Sequence, residues 1–214
     1  MSNNNLFSKV FTWLAVGLLI SFGVALYVSR SETLTAKVFS QYYIWLLILE
    51  VGLAFVMGLF IRKLSKEVLT VLYILYCSVS GFTLSSVFIV YKLDSVITIF
   101  LVAAFIFAGL AIYGYKTKKD ISKLGPILFF GLIGILVITF INILFVKSNS
   151  LDIGVTIISL LIFIGFIAYD MHIIKNKMYD IEEDKLAIYG AFQLYLDFIN
   201  MFLDLLRLFG NSKD

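Results

Sequence analysis

The stretch Leu194-Tyr195-Leu196-Asp197-Phe198-Ile199-Asn200-Met201-Phe202-Leu203-Asp204-Leu205-Leu206-Arg207-Leu208-Phe209-Gly210 decides how this chain is read. It has the length and apolar content of a membrane-crossing helix, yet it carries groups that hydrocarbon rejects. At about 100° per residue, Gln193, Asp197, Asn200, Asp204 and Arg207 fall within an arc of roughly 80°. The helix therefore has a single polar stripe. A charge at the bilayer centre costs about 2.5–3.5 kcal/mol even on lenient insertion scales, so such a stripe is expected to face other helices or water.

The rest of the composition agrees. Of 214 residues, 61% are hydrophobic and 14% charged, and the mean hydropathy is +1.02. No soluble domain hides that much apolar surface. A single cysteine, Cys77, excludes a disulfide framework and a cysteine metal site; it reads as a small buried hydrophobe. The net charge of +3 is loop charge that sets topology, and it gives no basis for a nucleic-acid partner.

Seven apolar runs approach the roughly 20 residues needed to cross a bilayer: Leu6 to Val28, Tyr43 to Ile61, Val68 to Tyr91, Ser95 to Tyr115, Pro126 to Val146, Ile153 to Ile174 and Leu186 to Phe209. The runs are continuous rather than alternating, which fits helices and not barrel strands. The expected architecture is an all-α integral membrane protein, with residues 1–214 as a single seven-helix transmembrane domain. Lys9 precedes the first run, but the run is long and lacks a clean small-x-small cleavage pattern, so it reads as a retained helix rather than a signal peptide.

Orientation follows from lysine and arginine. With the N-terminus in the cytoplasm, eleven fall inside (Lys9, Arg62, Lys63, Lys66, Lys116, Lys118, Lys119, Lys123, Lys175, Lys177, Lys185) and five outside (Arg30, Lys37, Lys92, Lys147, Lys213). That imbalance favours a cytoplasmic N-terminus and an external C-terminus. Small residues four apart, Ala54 and Gly58, Ala104 and Ala108, Ala187 and Ala191, are expected to let helices approach closely.

The ionisable residues inside the runs carry the functional signal. Glu50 sits mid-run among apolar neighbours and points to a functional role. Asp204 and Arg207 are three apart on one face and are expected to neutralise one another near the outer end. His172, three residues before Lys175, is expected at the membrane interface. Asp170 and Asp197 invite pairing, because repulsion and desolvation together favour one proton shared between two carboxyls. Depth opposes this. Asp170 is about 7.5 Å of rise before Lys175, whereas Asp197 is about 18 Å beyond Lys185, so contact requires the seventh helix to start in the interface or to tilt.

Leu194-Tyr195-Leu196-Asp197-Phe198-Ile199-Asn200, continued by Leu205-Leu206-Arg207-Leu208-Phe209-Gly210, resembles the C-terminal signature of the transmembrane Bax-inhibitor-motif family in its bacterial branch. Gly165-Phe166-Ile167-Ala168-Tyr169-Asp170 resembles the family's helix-six motif, and Ser80-Gly81-Phe82-Thr83-Leu84-Ser85 its helix-three motif. The resemblance implies a seventh helix wrapped by the other six. It also implies a pH-gated leak of cations, chiefly calcium, across the bacterial cytoplasmic membrane. On that reading Asp170 and Asp197 are the pH-sensor pair and touch calcium weakly and transiently. Glu50 matches the family's acidic residue in helix two, and Arg62 its basic latch, with Lys63 the alternative because the spacing is one residue off. Asp204 stands where the family places an uncharged polar residue.

Chemistry is compatible with that implication. Hard divalent cations prefer oxygen, and Glu50, Asn200, Asp204 and the two aspartates supply it along the path, with Arg207 beside them and no closed cage. No cofactor is expected, and calcium enters as the permeating ion. No Walker A loop is present to drive pumping. An intramembrane aspartyl protease would resemble its relatives in a Gly-x-Gly-Asp motif, but Leu194-Tyr195-Leu196 precede Asp197, and an enzyme is not expected. A retinal protein needs a Schiff-base lysine, and none lies between Lys185 and Lys213. The rival expectation is a non-conducting regulator that restrains a membrane protease or a stress- or death-signalling partner.

Overall fold

The computed structural model describes residues 3–177 and 180–213. Among these, seven helices are long and apolar enough to cross a membrane. We label them α1 (Asn3–Ser29), α2 (Glu32–Phe60), α3 (Lys66–Val90), α4 (Leu93–Lys116), α5 (Leu124–Val146), α6 (Asn149–Lys175) and α7 (Glu183–Phe209). The described residues contain no β-strand beyond an isolated bridge between Tyr91 and Ser212. The protein is thus a multi-pass, all-α membrane protein, as the apolar runs predicted.

Helix starts follow ordinary capping chemistry. The hydroxyls of Ser31, Ser65 and Ser148 accept from the backbone N–H groups of Leu34, Val68 and Leu151, satisfying donors that have no partner inside the first turn. Two π-helical segments, Val38–Tyr42 within α2 and Asn142–Val146 ending α5, interrupt otherwise regular helices. The α5 to α6 turn closes tightly. Lys147 adopts a left-handed φ of 53°, while the Asn142 side chain accepts from the Ser148 N–H at 2.9 Å and donates to its carbonyl at 3.1 Å.

Two compact units divide the described chain. The first comprises residues 3–93, 180–195 and 212–213; the second comprises residues 94–177 and 196–211. The residues of α7 are therefore shared between them, and α7 is the most buried of the seven helices.

In the first unit α1 and α3 lie side by side. A Cβ on Gly81 would strike the Val24 side chain and the Ser21 carbonyl, so glycine is what allows this approach. Ser21 hydrogen-bonds the Cys77 carbonyl at 2.7 Å and the Tyr195 hydroxyl at 2.6 Å, and Cys77 itself is fully buried. Edge-to-face contacts join Tyr76 to Phe192 and Tyr195, with centroids 5.1 and 5.9 Å apart. Where these helices begin, one carboxylate ties three of them: Asp184 on α7 takes Lys9 of α1 and Lys66 of α3, each at 2.7 Å.

In the second unit, close approaches occur at Gly114 against Ala168, Gly125 against Tyr169 and Gly165 against Leu128. Phe198 of α7 packs edge-on against Phe100 and Phe107 of α4. One expectation needs correcting. Ala104 and Ala108 do not form the packing face of α4. The buried positions are Ala103, Phe107, Ala111 and Gly114, while Ala108 is exposed. The 3.6-residue period puts Ala103 and Phe107 on one face and turns Ala108 about 100° away. Gly58 is likewise exposed, whereas Ala187 and Ala191 are buried as expected.

The close α1–α3 approach makes a testable distinction between glycines. Gly81→Ala is expected to lower thermal stability by about 1–3 kcal/mol through overpacking. Gly109→Ala, where an added Cβ meets nothing within 4 Å, should be neutral or raise it by up to about 1 kcal/mol through helix propensity. Thermal unfolding of the detergent-purified variants checks both.

Candidate functional site: a polar seam between α6 and α7

The polar stripe of α7 is most buried at Asp197. Asp197 is 4% exposed and Asp170 on α6 is 2% exposed. The two carboxyls lie side by side, each within reach of the other's charge. A hydrogen bond between two carboxyls needs a shared proton, because an ionised carboxylate offers acceptors alone. The second oxygen of Asp197, Oδ2, is buried without a hydrogen-bond partner. The depth mismatch inferred from flanking lysines thus does not hold. Lysine side chains reach several ångströms along the membrane normal and mark the interface poorly, and α7 begins at Glu183, before its apolar run.

Further along the seam, Asp204 lies within reach of the Ser159 hydroxyl on α6 and of the Arg207 charge. Its Oδ2 is buried and lacks a hydrogen-bond partner. Near the C-terminal end of α7, Arg207 Nε meets Asp152 Oδ2 at 3.5 Å, with side-chain exposures of 56% and 33%. Arg207 thus pairs with Asp152 in the first turn of α6 while its charge still acts on Asp204, as expected. Asp152 and Ser159 were not singled out from sequence. Asp152 precedes the apolar run and looks like loop charge, and a lone serine within a helix is common. Asn200 donates to the Leu196 carbonyl of its own helix at 2.7 Å, which leaves its side-chain oxygen as the free acceptor of that group.

The remaining candidates lie elsewhere. Glu50 of α2, half-buried, accepts from the Thr83 hydroxyl of α3 at 2.9 Å. Thr83 belongs to the Ser80 to Ser85 string quoted above, which gives that motif a concrete partner. Arg62 and Lys63 are exposed in the turn between α2 and α3; the Lys63 backbone N–H donates to the Phe60 carbonyl, and neither side chain makes a hydrogen bond or ion pair among the described residues. His172, near the C-terminal end of α6, is 6% exposed. Its Nδ1 has no partner, and its Nε2 faces Asn176 at 3.2 Å and Asp120 at 3.8 Å. It stays near a helix end as expected; the burial comes from tight packing there, with Gly114 against Ala168 and Met171 and the Lys175 ammonium 5.4 Å from the Tyr115 ring centre. No three His, Cys, Asp or Glu side chains among the described residues converge as a metal cluster.

Fold and seam together define a class: a multi-pass helical membrane protein with a buried acidic pair on its last two helices. Comparison of the sequence with known proteins then places it. The family model described as "Inhibitor of apoptosis-promoting Bax1" matches residues 3–214, and the chain belongs to this Bax inhibitor family. It is 41% identical over 214 residues to the inner membrane protein YbhL of Escherichia coli K12, covering 96% of this chain and 91% of that protein. An uncharacterized membrane protein of Streptococcus pyogenes serotype M1 is 36% identical over 217 residues, covering 98% and 93%. A protein of Borreliella burgdorferi is 34% identical over 218 residues, covering 99% and 94%.

Asp120 offers a pH test outside the membrane. The Ser122 hydroxyl and backbone N–H, followed by the His172 and Lys123 charges, hold its carboxyl below the usual carboxylate range. A depressed folded-state pKa contributes stability above the ordinary value of about 3.9, lost as pH falls through the depressed one. Protection of the Ser122 amide, bonded to Asp120 Oδ1 at 2.9 Å, should therefore hold from pH 8 to pH 5 in hydrogen exchange. It should fall only in strong acid.

Proposed function

We propose that the protein is a pH-gated leak for cations, calcium in particular, in the bacterial cytoplasmic membrane. Its N-terminus faces the cytoplasm and its C-terminus the outside, and the Asp170 and Asp197 pair controls the gate. The observation that carries this reading is the juxtaposition of the two buried carboxyls on α6 and α7. Family membership supports it. The family's description as an inhibitor of apoptosis-promoting Bax1 supports instead the second reading, a non-conducting regulator that restrains a membrane partner.

The mechanism follows from charge and proton count. One shared proton draws α6 and α7 together. Its loss leaves two like charges at close range in a setting of low dielectric, where repulsion rivals the few kcal/mol that commonly separate conformers. Raising pH therefore opens the path. A passing calcium ion would meet carboxylate and amide oxygens at Asp170, Asp197, Asn200 and Asp204, weakly enough to leave again. Glu50 supplies a further carboxylate, tethered by Thr83. Arg62, exposed and without an ion pair among the described residues, acts as a mobile latch whose charge restrains the open state.

Calcium flux into liposomes containing only the purified protein, in symmetric buffers across pH, separates the two readings. Flux should rise with pH. Steady increase on acidification would reverse the gate, and no flux at any pH would favour the regulator.

Asp170→Asn and Asp197→Asn should each flatten the pH response while leaving the protein folded, since each removes one member of the coupled pair but keeps shape and hydrogen-bonding capacity. Unchanged profiles in both would reject the pair as sensor. Arg62→Ala should raise basal flux and Lys63→Ala should do little, because a lysine side chain there reaches the headgroups. Equal effects would remove the latch assignment alone.

A further inference from the structure

The α6–α7 seam carries an acidic group that no proton-sharing partner neutralises. Asp204 lies seven residues beyond Asp197 on the same stripe of α7, about 10 Å further along the helix. Its buried Oδ2 has no hydrogen-bond partner, and the polar groups acting on its carboxyl are the Ser159 hydroxyl and the Arg207 charge. Arg207 is three residues away on the same face and would be the natural counter-charge. Instead its Nε meets Asp152 at 3.5 Å. Asp152, Ser159 and Asp170 on α6 face Arg207, Asp204 and Asp197 on α7 in antiparallel order, so the three polar contacts lie along one seam.

We infer that Asp204 is the residue that sets divalent preference in the cation flux, and that Asp152 keeps it available by holding Arg207 away. This inference rests on the leak reading above. An arginine has two places to go in this geometry. On Asp152 it leaves the Asp204 oxygen in the seam with the Ser159 hydroxyl beside it and the guanidinium charge at a distance, a setting that favours a small cation of high charge over a monovalent one. On Asp204 it would cancel that charge and put a cationic group on the path. Asp152 is thus a positioning residue, acting through Arg207, while Asp204 touches the ion. Burial separates the two roles: the Arg207–Asp152 pair is half-hydrated and exchangeable, whereas the unpartnered oxygen of Asp204 is shut away from water.

The test is the ratio of calcium to potassium flux in liposomes at a pH where wild type conducts. Asp204→Asn should lower that ratio several-fold while leaving the pH midpoint of flux in place, because the proton-sharing pair lies elsewhere on the seam. Asp204→Glu should retain the preference. Asp152→Asn should lower the ratio in the same direction, since Arg207 is then released to Asp204, and adding Arg207→Gln to it should restore the ratio. A merely structural role for Asp152 gives no such rescue. A calcium-to-potassium ratio unchanged in Asp204→Asn, with flux and pH response intact, overturns the inference and leaves the leak standing. Failure of the double variant to recover overturns the part given to Asp152. Absence of any wild-type flux overturns both readings together.

Discussion

Hydrocarbon supplies neither protons, donors nor counter-ions, so every carboxyl on a membrane-crossing helix has to find one of these within the protein. The α6–α7 seam meets that demand in three ways. Asp170 and Asp197 answer each other, Asp204 has a hydroxyl and the charge of Arg207 within reach, and Asp152 holds a guanidinium. Much of the second unit serves to hold these groups where they are. Gly114 brings α4 against the Ala168 backbone two residues before Asp170, and Phe100 and Phe107 close over Phe198, the residue after Asp197. Apolar packing around the pair is what makes the closeness of the two carboxyls matter, because in water each would be solvated separately.

The same demand explains features away from the seam. Glu50, alone among apolar residues on α2, takes its hydrogen bond from Thr83 of α3. Ser21 satisfies itself against the Cys77 and Gly17 carbonyls and the Tyr195 hydroxyl. Asp184 sits where α7 begins and binds two lysines, which fixes the starts of α1, α3 and α7 relative to one another within the first unit. Exposed ion pairs of this kind contribute little stability. Their use here is register: a helix held at its first turn presents its later residues at a defined height.

Which of these features could be read from sequence follows from how local each signal is. Seven apolar runs are local, and the helices match them to within a few residues at nearly every end. The polar stripe of α7 is local too, since a 3.6-residue period assigns Asp197, Asn200 and Asp204 to one face without reference to any neighbour. Partners are not local. Asp152 lies outside its apolar run and cannot be told from loop charge until α6 is placed beside α7. The lysine-based depth of Asp170 and Asp197 was misleading because a flexible four-carbon side chain blurs the interface it is supposed to mark. Ala104 and Ala108 illustrate a related limit. Spacing identifies that small residues could pack, but only the rotation of the helix decides that Ala103 and Ala111 do so instead.

A gradient of hydration along one helix pair also separates the signals to which the proposed leak would respond. Asp170 and Asp197 are almost fully removed from solvent, so mobile ions screen them poorly and a proton is the one cation small enough to alter their charge without opening the structure. Arg207 and Asp152, with 56% and 33% of their side chains exposed, are in the opposite regime. Their attraction is screened by salt and competes with water, which keeps it within reach of thermal energy. Asp204 stands between the two, near enough to Arg207 to feel its charge yet not paired with it. In the proposed leak the buried pair would therefore answer to protons and the half-hydrated pair near the C-terminal end of α7 to ionic composition, because burial assigns each its stimulus.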